Sequence, residues 1–92
     1  MRVAKRYVVS GRVQGVGFRY FTQRTASRLG IDGWVRNTPD GSVEVEAAGD
    51  ADALSRFERE LRLGPSGSRV SGFEATELAD PSEGKGFHIK SG

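Results

Sequence analysis

The chain has 92 residues, 36% of them apolar and 28% charged, with no Cys, one His and a formal net charge of +2. That length suits one domain, residues 1–92, with a small core. No apolar run is long enough to span a membrane and MRVAKRY is no secretory leader, while zero Cys and a lone His88 exclude disulfides, thiol catalysis and Cys- or multi-His metal centres and count against a Ser-His-Asp triad. A soluble, cytoplasmic protein with neither metal nor cofactor is expected.

Val3–Ser10 (VAKRYVVS) reads as a strand that Gly11 ends. Phe18, Phe21, Thr25 and Leu29 then recur at spacings of three and four, an amphipathic helix with Gly30 placed to close it and Arg24 and Arg28 favouring its C-terminal half. Ile31–Arg36 is a short strand, Asn37 to Gly41 (NTPDG) a turn, and Ser42–Ala48 a strand with Val43, Val45 and Ala47 inward and Glu44 and Glu46 outward. Asp50 or Asp52 caps a second helix with the stripe Leu54, Phe57 and Leu61 and an i,i+4 pair, Glu58 and Arg62, before Gly64-Pro65 stops it. Arg69–Leu78 is a strand with an irregularity at Gly72, Asp80 to Gly86 is polar turn material, and Phe87–Lys90 is a short last strand.

The order β-α-β-β-α-β, with that short final strand, is the ferredoxin-like split βαβ arrangement of the α+β class, an antiparallel sheet with both helices on one face. Enzymes, RNA binders and metal carriers share this superfold, so function must be read from a site.

The informative segment is Gly11-Arg12-Val13-Gln14-Gly15-Val16-Gly17-Phe18-Arg19, a glycine-rich loop from a strand into a helix. Such a loop gathers consecutive N–H groups into an anion-binding concavity, the helix adds the positive end of its dipole, and Arg19 adds a planar cationic fork. The loop lacks the Gly-Lys-Ser/Thr ending of a Walker motif, and its glycines do not follow G-x-G-x-x-G. Charge agrees with an anionic ligand: residues 1–36 hold eight Lys/Arg against Asp32 alone, whereas residues 37–92 hold six against eleven acids. The acidic second half argues against general nucleic-acid binding.

This nine-residue run resembles the first signature of the acylphosphatases, and Gly33-Trp34-Val35-Arg36-Asn37-Thr38-Pro39-Asp40-Gly41-Ser42-Val43 resembles their second. The resemblance implies hydrolysis of acyl phosphates, with Gln14, Gly15, Val16, Gly17 and Phe18 as the phosphate cradle, Arg19 binding the phosphate and Asn37 positioning the attacking water. The residues alone make Asn37 a turn former. Gly17 occupies a position that varies in the family, and the tail lacks the C-terminal aromatic common in animal members. Similar domains lie inside larger hydrogenase-maturation proteins with zinc-finger cysteines, so this cysteine-free chain is expected to be the stand-alone form. An acyl phosphate has a good carboxylate leaving group, which fits a motif without an evident general base; a phosphate oxygen of the substrate can take the proton.

Two other functions compete. Gly15 to Phe21 faintly echoes an RNA-recognition motif, but its aromatics enter a helix and SVEVEAA carries Glu where bases would stack. A non-catalytic anion-binding or regulatory module is the stronger rival. Elsewhere His88 reads as structural, Trp34 as packing, and Arg56, Arg59 and Arg62 as a solvated helix face. The expected partner is a small-molecule acyl phosphate, with no nucleic acid, no membrane and a monomeric chain.

Overall fold

Each alternating run in the sequence is a strand, and each three-four spacing a helix, in the computed structural model, which describes residues 1–79 and 84–91. The elements are β1 (Arg2–Arg12), α1 (Phe18–Leu29), β2 (Asp32–Asn37), β3 (Val43–Asp50), α2 (Ala51–Leu63), β4 (Arg69–Glu77) and β5 (Phe87–Ile89). The sheet order is β4-β1-β3-β2-β5. Neighbours among the first four strands are antiparallel, as expected, but β5 lies parallel to β2, with Gly33 opposite Phe87. The sheet is therefore mixed. Because β4 runs opposite to β1 and β2, a chain that reverses after β4 reaches the far edge running the same way as β2. Of the turn expected at Asp80 to Gly86, Asp80–Glu83 lie outside the described residues.

Alternation decides which side chains meet the helices. Tyr7 and Val9 of β1, Val43, Val45 and Ala47 of β3 and Val35 of β2 are buried on one face, against Leu54, Phe57 and Leu61 of α2 and Phe18 and Ala26 of α1. Phe57 sits at the centre, with its ring centroid 6.0 Å from those of both Tyr7 and Phe87. Burial of each such side chain is worth about 1.5–3 kcal/mol before the cost of ordering it. The buried stripe of α1 is Phe18, Thr22, Thr25 and Ala26, whereas Phe21 and Leu29 are only partly buried at its edges. Threonine can face the core here because Thr22 and Thr25 donate their hydroxyls to the Phe18 and Phe21 carbonyls, at 2.8 and 2.9 Å.

Three local expectations change. First, β1 runs through Gly11 and pairs Gly11 and Arg12 with Val70 and Arg69 across a bulge that leaves Ser71 unmatched beside Gly72. A side chain at Gly11 would meet the Arg69 carbonyl at 2.2 Å, so this glycine lets β4 close on the strand instead of ending it. Second, Glu44 is on the open face, as expected, but is only 7% exposed: it accepts from Arg6 Nε at 2.5 Å and Arg36 Nε at 2.6 Å. Third, Asp50 and not Asp52 caps α2, accepting the Asp52 N–H at 3.2 Å.

Candidate active site

The β1–α1 loop is anchored at both ends by burial. Val13 and Phe18 are each 1% exposed, while Gly15 and Gly17 between them are exposed. Gly17, the residue before α1, has φ 79° and ψ 21°, a left-handed conformation unfavourable for residues with a Cβ. It caps the helix without a side chain, and the first turn of α1 holds no acid. The contrast with α2 is internal to the molecule, because α2 begins with a capping Asp50 and an acidic Asp52. The positive end of α1 is thus the one that the chain leaves without a carboxylate, and it carries Arg19 in addition. Arg19 is half-buried and makes no ion pair among the described residues.

Asn37 comes from the other side. It is the last residue of β2 and pairs with Val43, and by alternation it shares the helix-side face with Val35. Its Oδ1 is buried and has no hydrogen-bond partner among the described residues. The following turn does not use that amide. Asp40 accepts from the Thr38 hydroxyl and from the Ser42 N–H, and these bonds hold its carboxyl below the ordinary aspartate range. A buried acceptor without a donor costs about 1–3 kcal/mol, so such an atom calls for an explanation, as does the Tyr7 hydroxyl in the core.

Gly15, Gly17, Phe18, Arg19 and Asn37 line one cavity of about 230 Å³. The remaining two residues of the expected cradle stand apart. Gln14 turns its amide to the β2–β3 turn, donating Nε2–H to the carbonyls of Thr38 and Ser42, each at 2.9 Å. Val16 lines a larger open groove along the outside of α1, which shares Gly17 and Tyr20 with the cavity. Sequence reasoning missed Tyr20 and Ile89, which complete the cavity wall. The signal for Tyr20 is an aromatic beside Arg19 that lies off the Phe18, Phe21, Thr25 and Leu29 spacing; none marks Ile89, because β5 reaches the cavity only through its parallel pairing. Trp34 and His88 sit opposite each other on the open face, away from Asn37, with Lys90 Nζ 4.4 Å from the Trp34 ring centre. Among the described residues no cluster of three or more His, Cys, Asp or Glu is arranged to hold a metal.

The arrangement can hold a compact anion between the start of α1 and Arg19 while an amide oxygen lies alongside. Comparison with known proteins decides the family. The acylphosphatase family profile matches residues 5–89. This chain belongs to the acylphosphatase family. An acylphosphatase of Koribacter versatilis is 48% identical over 86 residues, covering 94% of this chain and 78% of the relative. One of Bifidobacterium longum is 58% identical over 69 residues, covering 75% and 71%. The crystal structure of the Bacillus subtilis acylphosphatase superposes with a TM-score of 0.93 at 40% identity, covering 96% of this chain and 98% of that one. The ferredoxin-like α+β fold is thus that of solved acylphosphatases.

Proposed function

We propose that the chain hydrolyses the carboxyl–phosphate bond of acyl phosphates to carboxylate and inorganic phosphate, the reaction named by its family, with Arg19 and the β1–α1 loop holding the phosphate and Asn37 the water. Backbone N–H groups of Gly15 to Phe18 and the start of α1 receive the phosphoryl oxygens, and Arg19 adds two parallel charge-assisted donors. The Asn37 Oδ1 accepts a hydrogen bond from water and orients it in line with the carboxylate leaving group. A water oxygen–phosphorus bond forms as the phosphorus–acyl oxygen bond breaks; the electron pair leaves with the carboxylate, and the water proton passes to a phosphoryl oxygen. Fixed donors stabilise charge that shifts onto equatorial and leaving oxygens. The observation that carries this reading is the meeting, in one cavity, of an acid-free helix start with an arginine that has no ion pair and a buried amide oxygen that has no donor among the described residues. A module that only bound anions would have no use for that oxygen.

We also infer a metal-independent, cytoplasmic monomer without a nucleic-acid partner. Support comes from the absence of Cys and the single His, from acids at 44 and 46 on the open sheet face, and from the absence among the described residues of a helix long and apolar enough to cross a membrane. The test is hydrolysis of benzoyl phosphate with and without chelator. Turnover unaffected by chelator is expected. No turnover would overturn the function, and inhibition reversed by added magnesium or zinc would overturn metal independence.

A further inference from the structure

Arg24 and Arg28 are neighbours, one turn apart on α1, with different surroundings. Arg28 donates to both carboxylate oxygens of Glu60, each at 2.7 Å. Arg24 is exposed and makes no ion pair among the described residues. Its guanidinium lies over the Tyr20 ring, 5.6 Å from the centroid. Such a contact holds the cation in place without offering an oxygen to its five N–H donors. Arg24 also lines the groove of about 810 Å³ along α1. Gly17 and Tyr20 belong both to this groove and to the cavity that holds Arg19 and Asn37. A Cβ added at Gly17 would meet nothing within 4 Å, so the border between the two is open. The acid that lines the groove, Glu60, is the one already engaged by Arg28.

Two cations without acidic partners are thus set along one helix, Arg19 in the cavity and Arg24 in the groove that continues it. Five residues separate them, about 7.5 Å along the helix axis. In the proposed reaction Arg19 takes the phosphate, and the acyl part of the substrate has to extend away from it. The open border at Gly17 and Tyr20 leads that part towards Arg24. Resting on that functional reading, we infer that Arg24 binds a carboxylate at the far end of the acyl part, so that the chain favours mono-phosphorylated dicarboxylic acids over acyl phosphates with an uncharged end. A guanidinium meets a carboxylate fork to fork, through two parallel N–H donors. A benzene ring between the two charged groups of such a substrate spans a distance comparable to the offset of the two arginines.

The experiment compares kcat/KM for 4-carboxybenzoyl phosphate and its uncharged isostere, 4-carbamoylbenzoyl phosphate, in the parent, Arg24→Gln, Arg24→Glu and Arg56→Gln. Arg56 is an exposed cation on α2, so its replacement removes the same net charge far from the groove. The carboxy-to-carbamoyl ratio is expected to fall about fivefold in Arg24→Gln, the upper range for an exposed ion pair. It should fall further in Arg24→Glu, where like charges meet, and keep the parent value in Arg56→Gln. All three positions are exposed, so the variants should fold, and a ratio is insensitive to a uniform loss of active protein. An unchanged ratio in Arg24→Gln, or an equal fall in Arg56→Gln, would overturn the carboxylate site while leaving the hydrolytic reading intact. Failure of the parent to hydrolyse either compound would remove both.

Discussion

Arg19 and Asn37 stand in opposite electrostatic situations, and their variants should fail differently. Arg19 is a cation without an acidic partner among the described residues, and Arg19→Lys keeps the charge but loses the planar pair of donors. We expect kcat/KM to fall by at least about 10²-fold and phosphate to become a weaker competitive inhibitor; a near-parent rate would show that Arg19 is not the phosphate ligand. Asn37 Oδ1 is an acceptor without a donor among the described residues. Asn37→Ala should lower kcat by about 10²–10³-fold with little change in the phosphate inhibition constant, the pattern of an interaction made mainly in the transition state. Because its Oδ1 is buried and unsatisfied, the variant should melt no lower than the parent. If kcat holds while the midpoint drops, Asn37 is only structural. The residues alone single out Arg19, a cation beside a glycine-rich loop at a helix start, although the same pattern also suits a tight connection followed by a solvated first-turn residue. Asn37 was legible only through the family resemblance, because the strand was expected to end at Arg36. One more residue of alternation, Gly33-Val35-Asn37, puts the amide on the helix side.

The elements were readable where periodicity is local, and less so where a contact is long-range. Both helices and the first four strands follow from spacing and caps. The tie between the loop and the β2–β3 turn does not, because Gln14 meets Thr38 and Ser42 only after β3 inserts between β1 and β2. The same applies to the parallel pairing of β5, and hence to Ile89, although the strand itself was expected. The Gln14 tie joins the β1–α1 loop to the turn that follows Asn37. Replacing Gln14 by Ala removes one donor from each of two carbonyls that keep bonds from the Gly41 and Thr38 N–H groups, at a cost of about 0.5–1.5 kcal/mol per bond. It should also lower kcat/KM about tenfold, since small misplacements of reacting groups are costly. Equal loss of stability with unchanged kcat/KM would confine Gln14 to folding.

Across the whole molecule, ion pairs explain what the uneven charge distribution is for. Arg2, Lys5, Arg6, Arg28 and Arg36 are matched by Asp32, Glu58, Glu44, Glu60 and again Glu44. Of the eight basic residues in the first 36, only Arg12, Arg19 and Arg24 have no acidic partner among the described residues, and all three flank the loop or lie on α1. The unmatched positive charge is thus gathered on the loop and α1, with Arg19 lining the cavity and Arg24 the groove beside it. Pairing also sets the acid limit of stability. Burial pushes the Glu44 carboxyl up, but hydrogen bonds from Arg36 and Arg6 outweigh it and hold its pKa below the ordinary 4.5. A pKa lowered by folding contributes stability that is complete above the unfolded value and is lost as pH falls through the folded one. The midpoint should therefore drop on acidification below about pH 4. Glu44→Gln should melt lower than the parent at pH 7 and lose that difference towards pH 3; a gap independent of pH would mean that Glu44 does not shape the acid limb.

The place of β1 in the sheet has a consequence in time. It is bordered by β3 and β4, with Lys5 opposite both Ala47 and Glu77. The glycine loop, α1 and Asn37 are all supplied by the first half of the chain, yet the strand that leads into the loop keeps an open edge until residues 69–77 arrive. Closing that edge requires contacts between distant parts of the sequence, which lose much chain entropy before they return any energy. Folding should be correspondingly slow, nearer milliseconds to seconds than microseconds. Until β4 docks, an incomplete chain presents β1 as a strand edge on which a second copy can pair.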